Sequence, residues 1–91
     1  MVYLLHFDHR YHHAGHYIGF AQSKQTLPRR IEHHRRGTGA RLTAVVAAAG
    51  IGFEVVRTWP RADRHFERRL KNQKHAPRLC PVCNPRLKES A

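Results

Sequence analysis

Carboxylates are scarce in this chain, and their scarcity narrows where a hard cation could be held. Only Asp8, Glu32, Glu54, Asp63, Glu67 and Glu89 are available. Two phenols, Tyr3 and Tyr17, fall in short apolar runs, and Arg30 and His34 stand four residues apart. Such a set holds the parts that phosphodiester hydrolysis requires. One group must take a proton from water, another must neutralise charge on phosphorus, and a carboxylate-held cation commonly stabilises the leaving oxygen. A tyrosine, with an ordinary pKa of about 10, is a poor base alone. Neighbouring cations and a metal would favour its phenolate. An arginine offers a planar fork suited to phosphate oxygens. Each residue also has a plainer reading. The tyrosines fit as strand aromatics. Arg30 and His34 fit as surface side chains, and Glu67 as a helix partner of Lys71 or Arg64.

A second constellation is Cys80-Pro81-Val82-Cys83, whose spacing is half of a tetrahedral zinc site. His75 is the nearest further ligand in sequence, and one of His6, His9, His12, His13 or His16 could complete the set. The alternative is a reduced thiol pair on a proline-rich tail. Two cysteines this close cannot build a disulfide framework.

The elements that must position these groups follow from periodicity. Val2–Phe7 and His16–Phe20 read as strands of an antiparallel hairpin, joined by a polar, His-rich connection. A helix is expected from the Thr26 cap, with Pro28 in its first turn, to about Arg36, where Gly37 stops it. Leu27 and Ile31 form its core stripe, and Arg30 and His34 share the neighbouring face. Ala40–Ala49 repeats the helical pattern and ends at Gly50. Phe53–Trp59 is a third strand, broken by Pro60. Asp63–Lys74 is a third helix with Phe66 and Leu70 inward. Pro77, Pro81 and Pro85 argue against regular structure beyond it. The order β-β-α-α-β-α predicts a small α/β (α+β) domain, a three-stranded antiparallel sheet flanked by about three helices. The boundary is placed after residue 76, with a basic Pro- and Cys-containing tail over 77–91.

Charge points to the partner. Seventeen Lys and Arg face six acids among 91 residues, for a net charge of +11 with nine His neutral. That excess suits a polyanion, and nucleic acid is the commonest. Arg29, Arg35, Arg36, Arg41, Arg64, Arg68, Lys71 and Lys74 are the expected phosphate contacts, which give affinity without sequence information. No apolar run approaches a membrane span, and the chain starts directly in a strand-like segment without a signal peptide, so a cytoplasmic location is expected.

The motifs, taken in order, carry a resemblance. Val2-Tyr3-Leu4 followed by Tyr17-Ile18-Gly19 resembles the paired motif that names the GIY-YIG endonuclease family. Arg30-Ile31-Glu32-His33-His34 is similar to that family's helix pattern. Gly37-Thr38-Gly39-Ala40-Arg41-Leu42 and Glu67-Arg68-Arg69-Leu70-Lys71 resemble its glycine-containing stretch and its metal-binding glutamate segment. The first motif lacks its glycine, with Met1 in that place and Val2 where isoleucine is usual. Arg29 and His33 repeat the spacing of Arg30 and His34; Arg30 is preferred because Ile31 fills the apolar position after it.

The resemblance implies the GIY-YIG nuclease fold and a metal-dependent DNA endonuclease. Tyr3 would be general base or orient the water, and Tyr17 would help position water and phosphate. Arg30 would contact the scissile phosphate, and His34 would assist proton transfer or bind phosphate. Glu67 would hold one Mg2+ or Mn2+; independently of the resemblance, the cysteine spacing offers Cys80, Cys83 and His75 as candidate ligands of a structural Zn2+. Double-stranded or branched DNA is the expected partner, and RNA satisfies the same charge. The rival readings are a non-catalytic or structure-specific nucleic-acid-binding module on the same scaffold, and a zinc-stabilised interaction protein.

Overall fold

Alternation in the first ten residues after Met1 decides the architecture. In a computed structural model describing residues 1–89, strand β1 (Val2–Tyr11) forms the centre of a three-stranded antiparallel sheet, ordered β2-β1-β3. Strand β2 spans Ala14–Phe20 and strand β3 Phe53–Trp59. Both β1 and β2 run longer than the hydrophobic pattern suggests. The residues His9 and Arg10 extend the strand although both are exposed, because backbone pairing needs no apolar side chain. The hairpin closes at His12, which takes a left-handed φ of +54°, a conformation histidine tolerates better than most residues.

The two faces of β1 are buried under different layers. Tyr3, Leu5 and Phe7 point to one face and pack with Ile31, Val46 and Phe53. Val2 and Leu4 point to the other and pack with Ile18, Leu70 and Cys80. The first face is covered by α1 (Leu27–Arg35) and α2 (Arg41–Ala48), the second by α3 (Arg64–Gln73) and α4 (Ala76–Leu79). A short α5 (Arg86–Glu89) follows. The result is an α+β domain with helices on both sides of an open sheet.

Register explains why β3 serves both layers. Leu5 pairs with Val55 but Leu4 pairs with Arg57, so one residue of β3 is unmatched between them. This bulge reverses the facing of the strand. Phe53 and Val55 join the first core, whereas Val56 and Trp59 join the second.

The helix termini follow local chemistry. Asp63 caps α3 by accepting the Phe66 N–H at 2.9 Å, and Lys74 ends it at φ +55°. Thr26 occupies the cap position of α1 but makes no side-chain cap bond; its hydroxyl instead donates to the Ser23 carbonyl at 2.9 Å. Gly37 and Gly50, at φ +77° and +76°, follow α1 and α2. The tail departs from expectation. Pro77 does not prevent a helix, because it sits in the first turn of α4, where no intrahelical N–H is required. The tail expected over 77–91 is described to Glu89; its last two residues and the side chains of Lys88 and Glu89 lie outside the described residues. Among the described residues no helix is long and apolar enough to cross a membrane.

Candidate active site and metal-ligating cluster

Tyr3 and Gly19 are cross-strand partners, as are Leu5 and Tyr17. Tyr3 and Tyr17 therefore lie diagonally on one face of the hairpin, with ring centroids 6.4 Å apart. Their closeness needs the glycine. A Cβ at Gly19 would fall 2.4 Å from the Tyr3 hydroxyl, so only glycine lets the ring lie over that strand.

Helix α1 presents His34 to the same face. Its imidazole is fully buried, 6.0 Å from the Tyr3 ring and 5.1 Å from the Tyr17 ring between centroids. The Tyr3 hydroxyl is 2.6 Å from His34 Nε2, and His34 Nδ1 is 2.8 Å from Thr43 Oγ1. The Thr43 hydroxyl donates to the Ala40 carbonyl at 2.9 Å, so its oxygen is left to accept from His34 Nδ1–H. That assignment makes Nε2 the acceptor of the Tyr3 O–H. Gly39 seats the imidazole, since a Cβ there would meet Nδ1 at 2.5 Å.

The electrostatics agree with a neutral pair. Burial pushes the Tyr3 phenol up to about 12, and the adjacent Arg30 guanidinium pulls the other way. Burial, aided by Arg30 and His33, lowers the His34 imidazole to about 4. At neutral pH the phenol keeps its proton and the imidazole Nε2 lone pair accepts it in a hydrogen bond.

Helix α3 packs on the opposite face of the sheet, yet its side chains reach round β2, the edge strand. Lys71 Nζ stands 5.3 Å from the Tyr17 ring centroid and 3.3 Å from Glu67 Oε2. Glu67 and Arg30 line one cleft with Phe20, Ala21, Gln22 and Arg64, about 270 Å³ in volume. Glu67 is close enough to Tyr3 for its charge to raise the phenol further. Tyr3, Tyr17, Arg30, His34 and Glu67 thus converge, although Glu67 starts from the other layer. Arg30 is the exposed member, and Tyr3 and His34 are fully buried.

The other acids have different duties. Glu32 pairs with Arg36 at 3.0 Å, and Asp63 caps α3. Asp8 lies against Gly52, and Glu54 is paired in the sheet with His6. Among the described residues Glu67 is the sole carboxylate lining the cleft. One carboxylate with phosphate oxygens and waters is a donor set that a hard cation accepts.

The basic residues divide. Arg64, which stacks on Phe20 at 4.8 Å, lines the cleft with Arg30. Lys71 and Lys74 line an adjoining hollow of about 400 Å³ beside Tyr17, Ala40 and Leu42. Arg41 begins α2 next to that hollow and is exposed, as are Arg29 and Arg68. Arg35 borders a separate depression near Gly50, and Arg36 is held by Glu32.

The cysteines gather His6 and His16, two of the candidate ligands, in place of His75. His6, His16, Cys80 and Cys83 place one ligand atom each within 4.8 Å of one another, a group that could hold a metal ion. It lies on the face opposite Tyr3, because His6 pairs with His16 on the alternate set of the hairpin. His75 is not part of it. That residue occupies the exposed cap position of α4, and the helix turns Cys80 inward while leaving His75 outside. Sequence distance favoured His75, but strand pairing brings His6 and His16 together. Thr43 also escaped the sequence reading. Its one signal was a hydroxyl three residues before Val46, on the stripe that α2 buries.

No family model, curated protein or solved structure matches the chain.

Proposed function

We propose that the chain is a metal-dependent endonuclease of the GIY-YIG type, hydrolysing DNA phosphodiester bonds. The observation that supports this most strongly is that the buried Tyr3–His34 pair, with Tyr17 beside it, lies within electrostatic reach of Arg30 and Glu67, which line one cleft. These groups come from two strands and from helices on both faces of the sheet. A purely structural set would have no cause to collect two phenols, a neutral imidazole, a guanidinium and a lone carboxylate in a chain of charge +11.

The Arg30 fork binds two non-bridging oxygens of the scissile phosphate. The guanidinium stays beside the phenol, where its charge favours release of the Tyr3 proton. As water attacks, the new P–O bond forms and the old one breaks. In the same step Tyr3 accepts the water's proton while passing its own to His34 Nε2 along the existing 2.6 Å bond, so that no free phenolate precedes attack. The leaving oxygen takes its proton from His34 through solvent. Thr43, by accepting from Nδ1, keeps the imidazole in the tautomer this needs. Tyr17 flanks the water, and Lys71 holds the Glu67 carboxylate in place. Glu67 would hold Mg2+ or Mn2+, which would supply positive charge to offset that on the phosphate and the leaving oxygen. The bases Arg64, Lys71, Lys74 and Arg41 line the path of the DNA backbone, giving affinity with little sequence preference.

Supercoiled plasmid incubated with the purified chain and Mg2+ tests the reading. Nicking is expected, and Tyr3→Phe should slow it about 100-fold or more while DNA binding stays unchanged. Equal nicking by both proteins would remove Tyr3 from the chemistry. Tight binding with no nicking in Mg2+ or Mn2+ would leave the domain a nucleic-acid-binding module.

A further inference from the structure

We propose that His6, His16, Cys80 and Cys83 form a closed, tetrahedral zinc site that fastens the C-terminal tail to the sheet, apart from the cleft of the endonuclease reading. The ligand atoms are His6 Nδ1, His16 Nε2 and the two Sγ atoms. Their spacing supports this assignment. Zinc bond lengths of about 2.0–2.1 Å to nitrogen and about 2.3 Å to sulfur imply tetrahedral edges of about 3.3 Å between nitrogens and about 3.6 Å between nitrogen and sulfur. The two histidine nitrogens are 3.3 Å apart. Cys80 Sγ is 3.5 Å from His6 Nδ1, and Cys83 Sγ is 3.4 Å from His16 Nε2 and 3.8 Å from His6 Nδ1. These are the edges of a coordination polyhedron around a shared centre.

The surroundings are built to hold that shape. His6 and His16 face each other across the β1–β2 hairpin, so strand pairing fixes one edge. The cysteine turn is fixed by the Asn84 N–H, which donates to the Cys80 carbonyl at 2.7 Å, and by the Asn84 side-chain amide, which donates to the Arg78 carbonyl at 3.0 Å. Arg57 donates to the Leu79 carbonyl at 3.1 Å and so tethers the residue before Cys80 to β3. Cys80 is fully buried in the second core, beside Leu70 of α3. Four protein ligands leave no open position, the mark of a structural rather than a catalytic zinc. Nitrogen and sulfur donors disfavour the hard cation expected at Glu67 and suit zinc. Each thiol gives up its proton on binding, and two thiolates balance the ion's charge.

Metal content and cobalt substitution on the full chain test the site. The purified protein should carry one zinc per chain. Replacing it by Co2+ should give the intense visible bands of tetrahedral cobalt with a sulfur-to-cobalt charge-transfer band. Cys80→Ser and His16→Asn should lose the stoichiometric metal, whereas His75→Ala should keep it. If the two ligand variants fail to fold, the cobalt spectrum of the unmodified chain decides alone. A folded chain that neither carries zinc nor gives that spectrum, or one whose cysteines are joined as a disulfide, would overturn the proposal. So would loss of the metal in His75→Ala. None of these readouts depends on DNA cleavage.

Discussion

The Tyr3–His34 bond is the most informative contact in the molecule, because two groups that ordinarily titrate apart are held neutral against each other. His34 has a clear consequence for stability. Its folded pKa is depressed to about 4 from 6.5. The stability it contributes is therefore fully present above about 6.5 and is lost as pH falls towards 4. Below 6.5 the unfolded chain binds a proton that the folded chain refuses. The loss should be on the order of 3 kcal/mol. Denaturant unfolding of wild type and His34→Gln at pH 7 and pH 4.5 checks this: the wild type should lose more stability than the variant, and parallel losses would contradict it. The glycines make a second prediction. Gly19→Ala would drive a methyl into the Tyr3 hydroxyl and should destabilise by about 2 kcal/mol, displacing the phenol and suppressing cleavage. Thermal unfolding and a nicking assay would register both effects.

Much of the residue set was legible because its motifs are local in the chain. Tyr17-Ile18-Gly19 and the Arg30 to His34 spacing can be read without a fold. Thr43 and Gly39 were not legible in the same way. Their roles exist only once the loop after α1 folds back over the imidazole, a long-range event with no periodic signature. The same holds for His6 and His16, which become neighbours through the register of the hairpin.

Among elements, the three long helices and three strands follow the hydrophobic periodicity closely, since each must bury one stripe or face. What periodicity missed has a common cause. The polar end of β1, the unmatched residue of β3 and the short α4 are set by backbone hydrogen bonding, which leaves no apolar pattern. Helix α3 is the critical element. It rests on the second core through Phe66 and Leu70, while Glu67 turns round the β2 edge to the cleft and Lys71 to the hollow beside Tyr17. The tail packs against the same core through Leu79 and Cys80. Removing metal with a chelator should therefore loosen α3 as well as the tail. A fall in melting temperature of about 10 °C or more is expected, together with protease cleavage near residues 74–79. An unchanged melting curve for fully metal-stripped protein would contradict this coupling.

For the whole molecule, charge and cleft together specify how DNA would be met under the endonuclease proposal. Arg30, Arg41, Arg64, Arg68, Lys71 and Lys74 lie in or beside the two hollows or on the exposed surface of α3. If about six phosphates are neutralised, the logarithm of affinity should fall with the logarithm of salt at a slope of roughly −5. Binding measured from low to high salt would give that slope, and a value near zero would mean that these bases do not face the duplex. Arg35 and Arg36 lie away from the cleft, so their replacement by alanine should change the slope least.

The central claim is that Glu67, carried from the far layer of the sheet, completes a cutting site with Tyr3, Arg30 and His34. Single-turnover cleavage of a labelled duplex by Glu67→Gln in Mg2+, with binding measured on the same protein, tests it most directly. The account predicts a rate at least about 100-fold below wild type with affinity and salt slope preserved. Cleavage at the wild-type rate by Glu67→Gln would contradict it.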